Sequence, residues 1–462
     1  MKLKNFLSQR EIIPVIILAF LARLVLSVRQ YAMTWDSSVY LGMAKSIFSF
    51  GHLGLWEPIR PLAWPFVLGI FWKIGLNPVT MGIVLQIALQ VASVYLVYKI
   101  THRIFHKDLA ILASLLFMFS PVLLESAFSL HSASLAMFFC LLSVYLFLNE
   151  KFFASGIIAS LAFLATFYYG LFLVIFLIFL LRFKRFEPYK LLLGGFCIPL
   201  VPYLLLNLVL YRDPLLPFFS ASSVIKNVVA CNFLHAVPWY QYFVWIFLDN
   251  PLNLLLPVGL FFLFKKAETN RLLVFAGFAL PFVYLATLHC RDVRYILFFL
   301  PFLSIITALG IESIMQKIRK KNYRGFFLVL IILLAAAYPL YRMLTLNAPA
   351  DNADYYKLTN ATNATLLTNN PKLALYTDSR LELLYYPLYT SSKAEFYAGD
   401  VVKNRRDLVF IDTCYGDLLC SPNDLKCPGA TGNLMNALAS NYKKVYYANY
   451  TMCEYSVFSG AK

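Results

Sequence analysis

One carboxylate, Asp36, stands in the segment Met33-Thr34-Trp35-Asp36-Ser37-Ser38-Val39-Tyr40, just beyond a hydrophobic stretch that ends near Val28. That placement puts it at the membrane surface, on the side opposite a basic N-terminus. Acids are scarce in a chain of this kind and usually functional. A carboxylate at the mouth of a helical bundle can take a proton from a hydroxyl that attacks a lipid-borne substrate. Farther along, Glu125 follows Pro121 at the outer end of one apolar stretch, and His131 opens the next. A carboxylate and an imidazole at adjacent helix ends suit a divalent metal or the orientation of an acceptor, with plain interfacial polarity as the alternative. The run His289-Cys290-Arg291-Asp292-Val293-Arg294 places three cationic side chains within six residues, and Arg60 is a fourth on the same side. Such a group suits a phosphate or pyrophosphate, the alternative being side chains that merely snorkel to the headgroups.

The elements that must position these groups follow from composition. Hydrophobic residues make up 60% of the 462 and charged residues 14%, and the mean hydropathy is +0.69. Those values fit a polytopic membrane protein. The net charge of +17 lies entirely before Asp351, because the segment from there onward has 11 basic and 11 acidic residues. The excess sits in short loops, as the positive-inside rule requires, so it reports topology and not a nucleic-acid surface. Basic clusters recur at His102–Lys107, Lys151, Arg182–Lys190, Lys265–Arg271 and Lys317–Arg324. If each is cytoplasmic, two spans separate consecutive clusters. Spans are then expected at 12–28, 78–99, 108–124, 131–149, 152–168, 170–183, 189–211, 251–265, 271–288, 295–316 and 324–342. No small-residue cleavage site follows the first, which reads as a retained helix. Eleven spans put the N-terminus in the cytoplasm and the C-terminal part outside, and a prokaryotic cell membrane is the expected location.

The expected fold is thus an all-α polytopic membrane protein of about eleven transmembrane helices with a small α/β extracytoplasmic C-terminal domain. Residues 1–345 form the membrane domain and 346–462 the outer one. Within the first, 29–77 is a long outer loop with two short interfacial helices, Ser37–Phe50 and Ala63–Lys73. Trp56, Trp64 and Trp72 suit headgroup depth. In the outer domain Leu373–Thr377 and Leu408–Asp412 look like strands and Leu381–Tyr386 like a helix. Cys414, Cys420, Cys427 and Cys453 read as two disulfides in an oxidising compartment, since their spacings do not suit a zinc knuckle. Cys140 and Cys197 are expected inside the helical core. Asn360, Asn363 and Asn449 begin N-x-Thr sequons.

Six acids of the membrane domain face outward: Asp36, Glu57, Glu125, Asp213, Asp249 and Asp292. Asp213 and Asp249 lie next to prolines and read as turn or cap residues. Asp292 lies between two arginines and reads as an ion-pair partner. A helix cap is the competing reading of Asp36.

Asp36-x-x-x-Tyr40-x-x-x-Ala44, followed by Gly51 and Arg60-Pro61-Leu62-x-x-Pro65, resembles the first outer loop of GT-C fold glycosyltransferases, in particular the protein O-mannosyltransferase and aminoarabinose transferase group. Arg291-x-x-Arg294-Tyr295 with Pro301 is similar to a later segment of that group. The resemblance spans about residues 1–345. It implies an inverting transfer of a sugar, of the hexosyl or mannosyl type, from a polyprenyl or dolichyl phosphate to a protein or lipid-linked glycan acceptor on the outer face. Asp36 would be the base, with Tyr40 and Tyr295 in support. Many members have two adjacent acids where this chain has Asp36 and Ser37, and a second acid at the start of the fourth helix where it has His131. No cofactor is implied beyond a possible divalent metal ion. The Trp-Trp-Asp-Tyr-Gly signature of oligosaccharyltransferase subunits is absent from the outer tail. A lipid or glycolipid transporter without transferase chemistry is the rival class, although its usual internal repeats are not evident.

Overall fold

The structure is a computed structural model that describes residues 11–27, 33–181, 186–227, 237–265, 268–288, 290–318, 321–345, 352–361, 365–385, 389–413, 420, 424–450 and 453–460. His289, Cys414 and the sequon at Asn363 lie outside the described residues.

Apolar helices occupy the expected segments: Ile12–Ser27, Pro78–Ile104, Lys107–Met118, Ala133–Leu148, Phe152–Ala165, Leu171–Leu180, Glu187–Tyr211, Leu256–Lys265, Thr269–Thr287, Leu300–Lys317 and Lys321–Thr345. Three of them, Pro78–Ile104, Glu187–Tyr211 and Thr269–Thr287, are long and apolar enough to cross a bilayer among the described residues. A fourth crossing results if Gln241–Asp249 and Pro251–Lys265, bent by 119°, form one broken span. The expected third span is interrupted. It stops at Met118 and resumes as Pro121–Ser126, because Pro121 has no N–H to continue the ladder. The first N–H groups after the break are satisfied by the N-cap Ser120, whose Oγ accepts from the Leu123 amide at 3.4 Å, and by a distant acid. Asp249 Oδ1 accepts from Ser120 Oγ at 2.8 Å and from the Val122 amide at 3.2 Å. Asp249 therefore caps a neighbouring helix. Irregular backbone at this depth is tolerated because it is buried in protein: Asp249, Asn250 and Asn253 are all buried.

The first outer loop forms two helices, Trp35–Phe48 and Ala63–Lys73, close to the expected bounds. Thr34 is the N-cap of the first, its hydroxyl accepting from the Ser37 amide at 3.3 Å, so Asp36 lies in the first turn and is not the cap. This helix is buried on two sides. Tyr40 and Ala44 pack in the core of the helical bundle, whereas Val39 and Met43 pack with Leu55 of the same loop and with Leu366, Leu373 and Phe410 of the C-terminal domain. Trp64 is enclosed by protein and is not laid on the surface of the bundle. It is fully buried, and its indole N–H donates to the Leu130 carbonyl at 2.6 Å. An aromatic body this large is placed where its one polar atom finds a partner.

The C-terminal part, called the outer domain for its expected side, is built on a five-stranded sheet in the order β2-β1-β3-β5-β4. Its strands are β1 Leu366–Thr368, β2 Leu381–Leu383, β3 Leu408–Asp412, β4 Lys443–Tyr450 and β5 Cys453–Ser459. β1 pairs in parallel with β2 and β3, and β5 runs antiparallel between β3 and β4. Alternate residues face opposite layers, as the pleat demands. Leu366, Phe410 and Val457 meet the Asp36 helix. Leu367, Val409, Ile411 and Phe458 meet the helices Ser391–Lys403 and Cys427–Asn441.

Two expected elements change type. Leu373–Thr377 lies largely in a 3-10 turn, Pro371–Leu375, because Asn370 caps the Lys372 amide at 2.9 Å and Pro371 suits a first helical position. The Leu381–Tyr386 segment begins as a strand, not a helix, with Leu381 and Leu383 alternating inward around Glu382. Cys420 and Cys427 form a disulfide, and Cys453 is disulfide-bonded. Cys290, beside the cationic run, is also disulfide-bonded. Cys140 is buried as expected, but Cys197 is exposed on the surface of Glu187–Tyr211.

Candidate active site

Asp36 lies between two arginines from distant parts of the chain. Its Oδ1 is 2.9 Å from Arg60 Nη1, and its Oδ2 is 2.9 Å from Arg294 Nη1. The helix Trp35–Phe48 supplies the carboxylate, the turn before Ala63–Lys73 supplies Arg60, and the 3-10 turn Val293–Phe298 supplies Arg294. Each arginine is held by a second acid. Arg60 Nε donates to Glu57 Oε2 at 3.1 Å, across a tight turn three residues back in sequence. Arg294 donates from Nε and Nη2 to Asp292 Oδ2 at 2.9 and 2.7 Å, so the ion-pair reading of Asp292 holds. Arg60 also lies over the Tyr40 ring, 5.8 Å from its centroid. Its Nη2 makes no hydrogen bond among the described residues. The group is open to the outside: 23% of the Asp36 side chain and 37% of the Arg294 side chain remain exposed.

His131 joins the same cluster. Its Nε2 is 3.2 Å from Arg294 Nη1 and 2.8 Å from Thr34 Oγ1, and its Nδ1 is 3.0 Å from Ser129 Oγ. A guanidinium can only donate, so Nε2 must accept, and the ring proton sits on Nδ1 facing Ser129. His131 lies in the turn before Ala133–Leu148, outside that helix. The turn is pinned on three sides. Gln86 Nε2 donates to the His131 carbonyl at 2.8 Å, Trp64 holds the Leu130 carbonyl, and Ser37 Oγ donates to the Ser129 carbonyl. Leu130 is in the left-handed region at φ 48°, which a leucine adopts only where its surroundings enforce it.

The electrostatics follow from these contacts. Burial works to raise the Asp36 pKa, but Arg60, Arg294 and His131 outweigh it, and the carboxyl is held well below the usual carboxylate range. Burial and the adjacent Arg294 push His131 down to about 4, against the opposing pull of Asp36 and Asp292. At neutral pH the site therefore contains a carboxylate, a neutral imidazole and two guanidinium groups.

Several sequence candidates thus come together: Asp36, Arg60, Arg294 and His131, with Tyr40 beside them. Tyr40 OH is 3.1 Å from Ser132 Oγ, which continues to Thr166 Oγ1 at 2.9 Å. Tyr295 packs edge-on to Tyr168, with centroids 5.9 Å apart. Others are placed elsewhere. Glu125 is exposed on Pro121–Ser126, and none of the ring contacts of His131 is with it. Arg291 donates from Nη1 to the Val237 carbonyl and from Nη2 to the Ala286 carbonyl at 3.0 Å, while its buried Nε has no partner among the described residues. No three His, Cys, Asp or Glu side chains converge on a metal-sized site among the described residues. Thr34, Ser129 and Tyr385 were not singled out from the sequence, and Glu57 was named there only as one of six outward-facing acids, without a role. Only Glu57 had a signal there, its three-residue spacing from Arg60.

No family model and no curated protein matches the sequence. Solved structures do. ArnT from Cupriavidus metallidurans in the apo state superposes with a TM-score of 0.69 at 12% identity, covering 98% of each chain. The same protein bound to undecaprenyl phosphate gives 0.70 at 12% identity, covering 97% of this chain and 98% of that one. The oligosaccharyltransferase AglB from Archaeoglobus fulgidus, in complex with an inhibitory peptide and a dolichol-phosphate, gives 0.61 at 12% identity, covering 97% of this chain and 74% of that one. ArnT, an aminoarabinose transferase, and AglB are both GT-C fold glycosyltransferases, and likeness over this much of the chain shows that the protein described here has the polytopic GT-C fold.

Proposed function

We propose that this chain is a membrane glycosyltransferase that moves a sugar from a polyprenyl phosphate to an acceptor hydroxyl at the outer face of the membrane, with inversion at the anomeric carbon. One observation carries the reading: a partly exposed carboxylate, Asp36, is held between Arg60 and Arg294 at the mouth of a GT-C bundle. Two structural neighbours, ArnT and AglB, are bound to undecaprenyl phosphate and to a dolichol-phosphate, which supports a lipid phosphate as the donor carrier. The same reading takes the chain through the membrane eleven times, with the N-terminus inside and the 346–462 domain outside.

In the resting state Asp36 is a weak base, because two cations stabilise its charge. A donor phosphate changes this. Its oxygens can take Arg60 Nη2 and compete for the Nη1 groups that now hold Asp36. Each guanidinium drawn away raises the proton affinity of the carboxylate by about 1–3 pKa units. Donor binding thereby arms the base. The acceptor hydroxyl gives its proton to Asp36 as its oxygen forms the bond to the anomeric carbon. The bond to the lipid phosphate breaks on the opposite face, and the electron pair leaves on the phosphate. Arg60 and Arg294 stabilise that departing charge without a general acid. Arg291, with its unpartnered Nε–H, and His289 are proposed as further contacts for the donor phosphate, and Tyr40 and Tyr295 as supporting walls. Neutral His131 orients Arg294 and occupies the place of a second acid.

The test of donor class is direct. Purified protein is incubated with undecaprenyl-phosphate sugars and, separately, with nucleotide sugars. The proposal expects sugar loss from the lipid donors alone. Consumption of nucleotide sugars, or of neither class across a panel of sugars and acceptors, contradicts it.

A further inference from the structure

We infer that the outer C-terminal domain completes the Asp36 site, with Tyr385 as a positioning residue that aims Arg60 through Glu57. The inference rests on the functional reading above.

The contacts form an unbroken line. Tyr385 OH donates to Glu57 Oε1 at 2.9 Å. Glu57 Oε2 accepts from Arg60 Nε at 3.1 Å, and Arg60 Nη1 lies 2.9 Å from Asp36 Oδ1. Glu57 is almost fully buried, its side chain 2% exposed, so each of its oxygens needs a protein partner. Those partners are Arg60 and Tyr385. Without the tyrosine hydroxyl, one oxygen of a buried carboxylate is orphaned, and the carboxylate is free to turn away from Arg60. The same tyrosine ring packs edge-on against Trp35, the residue before Asp36, with centroids 4.5 Å apart. Tyr385 thus reaches both walls of the site from a segment that follows β2.

The surrounding interface is built to hold that placement. Buried Lys45, on the Asp36 helix, donates to the Ala374 and Thr377 carbonyls at 2.7 and 2.8 Å and pairs with Asp378 at 2.9 Å. Gly54 forms a parallel bridge with Arg380: its amide donates to the Ser379 carbonyl at 3.1 Å, and its carbonyl accepts from the Leu381 amide at 2.8 Å. These bonds fix the register of the loop against β2, five residues before Tyr385 at Arg380. A domain that only rested on the bundle would not need a hydrogen bond to the residue that orients a site arginine.

The experiment uses the full chain in detergent with Tyr385→Phe, Glu57→Gln, the double variant and Trp72→Phe. Tyr385→Phe keeps the ring on Trp35 and removes only the hydroxyl. Trp72→Phe cuts a different contact between loop and domain, Trp72 Nε1 to Asp378 Oδ1 at 3.3 Å, and serves as the control. Two quantities are read: affinity for undecaprenyl phosphate, and the rate at which phenylglyoxal modifies Arg60, followed by mass spectrometry. Tyr385→Phe and Glu57→Gln are each expected to weaken lipid phosphate binding by about tenfold. The double variant should be no weaker than the worse single variant, because both act through one line of contacts. Arg60 modification should quicken severalfold in Tyr385→Phe and stay unchanged in Trp72→Phe. Additive losses, an unchanged Arg60 rate in Tyr385→Phe, or an equal change in Trp72→Phe would each overturn the inference. If wild-type protein fails to bind undecaprenyl phosphate, the donor assignment falls, while the Arg60 rate still decides the role of Tyr385.

Discussion

Lowering the pH should destabilise this protein through His131 before any other residue of the site titrates. Burial and Arg294 hold its pKa at about 4, against the ordinary value of 6.5. As pH falls through 6.5, the unfolded chain gains a proton at this position and the folded chain does not. The unfolded state therefore binds more protons, and stability falls with falling pH. The loss develops between pH 6.5 and about 4 and is complete below that, where both states are protonated. A difference of this size corresponds to about 3 kcal/mol at 1.36 kcal/mol per pKa unit. Asp36 does not contribute in this window. Its folded pKa is depressed, so the stability it provides is present above the ordinary carboxylate pKa and is lost only at lower pH. The assay is thermal unfolding of purified protein in detergent from pH 7 to pH 4, for wild type and for His131→Gln, which stays neutral. Wild type should lose several degrees more in Tm than the variant across that range, and all other titrations cancel in the difference. Parallel curves would show that His131 is not held neutral by Arg294, and the ring-proton assignment would fail with it.

Other consequences concern the scaffold. Gly54→Ala should destabilise by at least about 2 kcal/mol and expose the outer domain to proteolysis, because Gly54 is at φ 70° and a Cβ there would lie 2.1 Å from the Gly42 carbonyl oxygen; normal protease resistance would refute the loop-to-domain bridge. Cys420→Ser should cost about 2 kcal/mol, by chain entropy for a loop with seven-residue separation, readable as a lower Tm that matches the reducing-agent effect on wild type at this bond. Trp64→Phe should cost about 1–3 kcal/mol by orphaning the buried Leu130 carbonyl, and should also loosen the His131 turn, so that the pH-dependent part of the Tm shift shrinks.

What could be read in the sequence was whatever depends on local pattern. Apolar runs between basic clusters located the apolar helices of the bundle, and Ser37–Phe50 and Ala63–Lys73 anticipated two loop helices to within two residues at every end. Asp36, Arg60, Arg294 and His131 were marked individually because polar groups are rare on that side of the bundle. Their convergence is tertiary, since Asp36 and Arg294 are 258 positions apart. The burial of Trp64 was not legible, because a tryptophan at an interface and one buried beside a carbonyl look alike in sequence. Leu373–Thr377 read as a strand because its continuous apolar run outweighed the Asn370-Pro371 start signal. Tyr385 had no local mark at all. Its meaning comes only from the buried carboxylate it satisfies.

The central claim, that Asp36 is the base between two arginines, is tested most directly by Asp36→Asn assayed for sugar transfer and for undecaprenyl phosphate binding on the same preparation. The isosteric amide should fold and still bind the lipid phosphate, with affinity equal to or tighter than wild type because Arg60 and Arg294 lose a competing anion, and transfer should fall by at least about a hundredfold. Substantial transfer by Asp36→Asn at saturating donor would contradict the account.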